Sequence, residues 1–134
     1  MIHRGAFDDI DLAMMVHPAD RDLRTMHTIA IQQLDMQCTG RAAHAAPHMG
    51  LNALDAAVLG YNAVAALRQH IRPEEPIHGV FAGGGNKPNI VPSIAATEWQ
   101  VRSGNMDSLQ ALKARVLDCL HGGTLSPGCE MHHE

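Results

Sequence analysis

The feature that most restricts this chain is the order in which its apolar periodicity changes between Thr28 and Glu134. Ile29 and Ile31 alternate with polar neighbours, then Leu34, Met36 and Cys38 do the same, which is the period of a half-buried strand. The phase slips at Gln32-Gln33, which predicts a bulge there. Leu54, Val58, Tyr61, Ala65 and Ile71 then fall at helical spacing over Leu51 to Ile71. Asn52 is placed to cap that helix, Asp55 lies in its first turn and Pro73 stops it. Pro76 to Ala82 reads as a short strand, and Gly83-Gly84-Gly85-Asn86 as a loop. Ala95, Thr97, Trp99 and Val101 alternate with polar residues in a further strand. A second helical stripe follows in Leu109, Leu112, Val116 and Leu120. Asp107 and Gln110 open it in the pattern of a capping box, and Gly122-Gly123 close it. Cys129, Met131 and His133 alternate in a last strand. The order β-α-β-β-α-β predicts an α+β, ferredoxin-like sandwich. Its antiparallel sheet has four strands, with two helices on one face.

Residues 1–24 read differently. Phe7, Ile10, Leu12, Met14 and Val16 make a short apolar piece ending at His17-Pro18, followed by the polar connector Ala19-Asp20-Arg21-Asp22. A boundary is expected near residues 18–26, dividing 1–24 from 25–134. Composition narrows the function classes. The net charge is −4, and the ten Lys and Arg are scattered, which argues against nucleic-acid binding through a basic patch. Phe7, Tyr61, Phe81 and Trp99 are far apart and form no base-stacking platform. The uncharged stretch Ala56–Leu67 contains Gly60 and Asn62 and is too short to span a bilayer. No basic-then-apolar leader opens the chain, and Cys38, Cys119 and Cys129 lack metal-type spacing. A cytoplasmic protein with reduced thiols is the expectation.

Ten histidines are the anomaly, since imidazole serves metal and proton chemistry. Gly40-Arg41-Ala42-Ala43-His44-Ala45-Ala46-Pro47-His48 places two of them in a small-residue loop ahead of a helix. Small neighbours leave room for a ligand, although an exposed loop would read the same way. Asn89 lies in Pro88-Asn89-Ile90-Val91-Pro92, where two prolines restrict the backbone around it; a turn asparagine is the bland alternative. Arg102 shares the polar face of its strand with Glu98 and Gln100. Its fork suits a carboxylate ligand, or a salt bridge to Glu98. Gly83-Gly84-Gly85-Asn86-Lys87 is followed by Pro88 rather than a helix, so it is a poor phosphate cradle.

Several motifs in order resemble the M20 family of zinc peptidases, in its amidohydrolase and aminoacylase branch. They are Arg4-Gly5-Ala6-Phe7-Asp8, Ala13-Met14-Met15-Val16-His17-Pro18, Thr39-Gly40-Arg41-Ala42-Ala43-His44-Ala45-Ala46, Leu51-Asn52-Ala53-Leu54-Asp55-Ala56-Ala57-Val58 and Lys87-Pro88-Asn89-Ile90-Val91-Pro92. The resemblance implies a two-domain hydrolase of N-acyl amino acids or dipeptides that uses zinc or another divalent metal. It makes residues 25–134 the inserted lid and dimerisation domain, and residues 1–24 the end of a catalytic domain and its connector. By the same resemblance His17 is a metal ligand. His44 enters the partner subunit's active site and donates to the scissile carbonyl. Asn89 and Arg102 hold the substrate's carboxylate. The stretch from His44 to Pro47 is shorter than in the family, which makes His48 a second candidate for contact with substrate. The expected partner is a second copy, paired through an edge strand and a flanking helix, with no nucleic acid or membrane. No His-x-Asp or His-x-Cys motif and no paired Glu-Glu occurs, so the chain alone is expected to bind no catalytic metal and to be inactive. A stand-alone ferredoxin-like binding or dimerisation module is the alternative, since fold alone does not fix function.

Overall fold

The computed structural model describes residues 2–24 and 28–134. The expected boundary between residues 24 and 25 therefore falls at the edge of the described residues. From Ala30 onward the elements are β1 (Ala30–Thr39), α1 (Ala53–Leu67), β2 (Ile77–Gly83), β3 (Ile94–Ser103), α2 (Met106–Leu125) and β4 (Glu130–His133). Every strand pairing is antiparallel, and the sheet order is β2-β3-β1-β4. This is the expected α+β, ferredoxin-like sandwich.

One face of the sheet carries the core. Leu34, Met36 and Cys38 from β1 and Ala95, Thr97, Trp99 and Val101 from β3 are buried beneath the helices. Trp99 donates its indole N–H to Thr97 Oγ1 at 2.8 Å, which satisfies the two buried polar groups at once. The opposite face carries Gln33, Asp35, Glu98, Gln100 and Arg102, as alternation requires.

Five local expectations change. No bulge occurs at Gln32-Gln33: β1 pairs with β3 without a slip from Ala30 to Thr39, and Ile31 lies on the open face, half exposed. The irregularity lies instead in β2, between Phe81 and Gly83. The buried face of α1 is not the large-residue stripe. It consists of Ala53, Ala56, Ala57, Gly60, Val64 and Leu67, while Leu54 and Tyr61 are half-buried and Val58 is exposed. The reason is the close approach of the helices. A Cβ built on Gly123 would lie 2.3 Å from the Gly60 backbone nitrogen, so only glycine fits at that crossing. For the same reason Gly122-Gly123 do not end α2, which runs on to Leu125. Its cap is Asn105 rather than Asp107, with Asn105 Oδ1 accepting from the Ser108 backbone N–H at 3.0 Å. Asn52 caps α1 as expected, accepting from Leu54 and Asp55. The α-helix stops at Leu67 and tightens into a 3₁₀ turn over Arg68–His70, where Arg68 donates to the Ile77 carbonyl at 3.0 Å.

Residues 2–24 form a 3₁₀ turn at Ile2–Arg4 and, among the described residues, no strand. From Phe7 to Leu23 the large apolar side chains face solvent, with Val16 at 96% exposed. A strand needs a neighbour for its backbone hydrogen bonds, and none of the sheet's strands provides one.

Candidate active-site surface

Two loops meet at the Ile94 end of β3. The first, residues 40–51, is closed at its base by Arg41 and Leu51, which exchange both backbone hydrogen bonds at 2.9 Å. Arg41 Nε also donates to the Met49 carbonyl at 2.7 Å, across the short turn Pro47–Met49. The second loop, residues 88–93, is stitched to the first. Val91 N–H donates to the Ala43 carbonyl at 2.8 Å, and Gly40 N–H donates to the Ser93 carbonyl at 2.8 Å. A Cβ on Gly40 would fall 2.1 Å from the Leu51 carbonyl oxygen, so the closure requires glycine. These bonds hold two loop side chains together: Asn89 Nδ2 lies 3.2 Å from His44 Nε2, and both residues are exposed. Residues of both loops, Ala42 on one and Ile90 and Ser93 on the other, line an open groove of about 480 Å³ together with Gly84. His48, in the turn, is exposed and has no side-chain partner among the described residues.

Arg102 is elsewhere. It lies eight residues beyond Ile94 along β3, about 26 Å at the rise of an extended strand. The chain therefore brings His44 and Asn89 together but holds Arg102 at the opposite end of the sheet. Arg102 Nη2 donates to Gln100 Oε1 at 2.5 Å, and its backbone N–H to the Pro76 carbonyl at 3.2 Å. Its Nε is buried and has no hydrogen-bond partner. The salt bridge to Glu98 is not made: among the described residues the ion pair is His132–Glu130, at 3.8 Å. A planar fork held by one neutral side chain, and in no ion pair among the described residues, is suited to an incoming carboxylate.

His17 lies in the exposed N-terminal segment, its Nδ1 2.8 Å from the Pro18 carbonyl. That contact places the proton on Nδ1 and leaves the Nε2 lone pair available, the form a metal takes. A single imidazole is not a site, since catalytic zinc takes about three protein ligands. Among the described residues no three His, Cys, Asp or Glu side chains are grouped to hold a metal ion, so the donor set here does not fit a catalytic metal. Nor is any helix long and apolar enough to cross a membrane.

Gly40, Arg41 and Gln100 complete the geometry. Gln100 was already visible on the polar face that it shares with Arg102, whereas the contacts of Gly40 and Arg41 with Leu51 and Met49 depend on how the loop closes.

The chain matches the peptidase dimerisation domain of the M20 peptidases over residues 29–122. It belongs to the M20 family. It is 37% identical over 136 residues to the Xaa-Arg dipeptidase of Mus musculus, covering 100% of this chain and 32% of that protein. It is 34% identical over 129 residues to a p-aminobenzoyl-glutamate hydrolase polypeptide of Escherichia coli (strain K12), covering 93% of this chain and 27% of the relative. The chain thus spans about a third of the curated relatives it matches. Among solved structures it superposes on an aminobenzoyl-glutamate utilization protein from Klebsiella pneumoniae. The TM-score is 0.69 at 23% identity, covering 81% of this chain and 28% of that one, a likeness in fold.

Proposed function

We propose that this chain is the lid and dimerisation part of a metal-dependent amidohydrolase that cleaves the amide bond of N-acyl amino acids or dipeptides. Residues 1–24 are then the end of the catalytic domain and its connector, with His17 supplying one metal ligand. Two relatives are named for a dipeptidase and an aminobenzoyl-glutamate hydrolase. A dipeptide and an aminobenzoyl-glutamate both present an amide next to a free carboxylate, the group Arg102 suits. Three free cysteines fit a reducing, cytoplasmic compartment.

The observation that carries the reading is the separation of the two polar sites along β3. One substrate is too small to reach both His44 and Arg102 of the same chain. A homodimer solves this: one subunit contributes His44 and Asn89, with His48 on the same loop as His44, and the partner contributes the carboxylate-binding Arg102. His44 then donates a hydrogen bond to the scissile carbonyl as charge develops on its oxygen. The residue 1–24 segment leads to β1 at Ala30, which pairs with Ser103 beside Arg102, so a subunit's own catalytic domain lies at its Arg102 end.

Complementation in the complete parent enzyme tests this. His44→Ala and Arg102→Ala homodimers should each be nearly inactive. Mixed and re-associated at random, they should regain about a quarter of wild-type activity, because each heterodimer rebuilds one intact site. If one chain supplies both residues to one site, mixing restores nothing.

A further inference from the structure

We infer that Asn89 is a positioning residue that sets the tautomer of His44, so that the hydrogen His44 donates to substrate is the one on Nδ1. The inference rests on the proposed lid role of His44, and it gives Asn89 a task other than holding the carboxylate.

The argument starts from donor inventory. Asn89 Nδ2 is an amide nitrogen with two hydrogens and no lone pair to accept with. It lies 3.2 Å from His44 Nε2, so the contact is a hydrogen bond only when Nε2 carries the lone pair. A neutral imidazole has one N–H, which therefore sits on Nδ1. The loops that carry the two residues are held side by side by backbone bonds, which keep the amide within reach of the ring. These are Val91 to Ala43 and Gly40 to Ser93, both 2.8 Å, while the Arg41–Leu51 pair closes the base of the first loop. No carboxylate competes for the ring among the described hydrogen bonds and ion pairs, and the other loop histidine, His48, has no side-chain partner there. Arg102, the group Asn89 would share a carboxylate with, lies near the far end of β3, about 26 Å along the strand from Ile94, where the Asn89 loop joins it. Within this chain the partner of Asn89 is the imidazole.

For catalysis the consequence is directional. With Nε2 occupied by the amide, Nδ1–H is the free donor of the neutral ring, and its side is set before substrate arrives. A histidine without this contact would divide its proton between the two nitrogens and present the donor on the required side only part of the time.

The test is a nitrogen-15 spectrum of the histidine rings in this chain, recorded where His44 is neutral and assigned with His44→Gln. Wild type should show a protonated Nδ1 and an unprotonated Nε2. Asn89→Ala should shift the Nδ1–H to Nε2–H ratio by about fivefold toward Nε2–H, the effect of one lost hydrogen bond. Asn89→Asp should invert the tautomer outright, because a carboxylate only accepts and so draws the proton to Nε2. The inter-loop bonds use backbone groups of other residues, so unchanged backbone amide resonances report that the fold is retained. A wild-type Nε2–H tautomer, or the same tautomer in wild type and Asn89→Asp, overturns the inference. In the complete parent enzyme Asn89→Asp should lower kcat with little change in KM, and unaffected hydrolysis would also overturn it. Failure of the lid reading has a different signature: His44→Ala would leave hydrolysis intact whatever the spectra show.

Discussion

Arg102 and Cys38 show how the same strands treat a charged and a neutral side chain. The Arg102 fork is half-buried on the open face and in no ion pair among the described residues. In the parent enzyme Arg102→Ala should therefore cost about 2–5 kcal/mol of transition-state stabilisation for substrates with a free carboxylate. Matching amide substrates should change little, and comparison of kcat/KM for the two series checks this. Equal losses for acid and amide would make Arg102 structural. Cys38 is wholly buried next to Met36, and burial together with the nearby Cys129 pushes its thiol up to about 11. The ordinary value is 9.0, so below pH 9 the thiol is protonated in both states and contributes nothing to pH dependence. Between pH 9 and 11 the unfolded thiol ionises while the folded one holds its proton, so stability falls as pH rises. The expected loss is about 2 kcal/mol, measured by urea denaturation at several pH values. Cys38→Ala should flatten that part of the curve.

At the scale of elements, the two helices meet through glycine rather than through large side chains. Gly123→Ala drives a methyl into the Gly60 backbone, which has nowhere to move. It should cost about 1–3 kcal/mol by thermal or chemical denaturation. Gly60→Ala meets Leu120 at 3.3 Å and gains helix propensity, so its cost should be clearly smaller. Equal effects would mean that the crossing is looser than described. Removal of the Asn105 cap should cost about 1 kcal/mol in Asn105→Ala, since the Ser108 N–H loses its acceptor.

At the scale of the molecule, β2 is an outer strand whose free edge can pair with another chain. Its own Val80 and Phe81 are exposed, and α1 presents Val58 and Leu59 to solvent. Tyr61 stacks on Phe81 at 5.5 Å, which ties that helix to the strand. The chain should therefore dimerise at high concentration through β2 and α1, and Val80→Lys should shift it toward monomer in sedimentation or light scattering. A strict monomer would count against this surface. The isolated chain should hydrolyse neither N-acyl amino acids nor dipeptides, with or without added zinc; turnover by pure protein would overturn the lid reading.

Fold class followed from the sequence because periodicity is local: Ala95, Thr97, Trp99 and Val101 alternate whatever they pack against, and so define a half-buried strand. The order of such segments then left one compact arrangement with helices on one face. Asn52 was readable as a cap for the same local reason. The buried face of α1 was not, because Gly60 and Gly123 are 63 residues apart and only their contact shows why small residues face inward. The straight register of β1 likewise depended on β3 as its partner. At the site, local sequence marked His44, Asn89 and Arg102 as polar residues of interest. Which of them meet was decided by tertiary structure: loop closure sets Asn89 against His44, whereas an extended strand carries Arg102 away at a fixed rise per residue, whatever its spacing in sequence suggests.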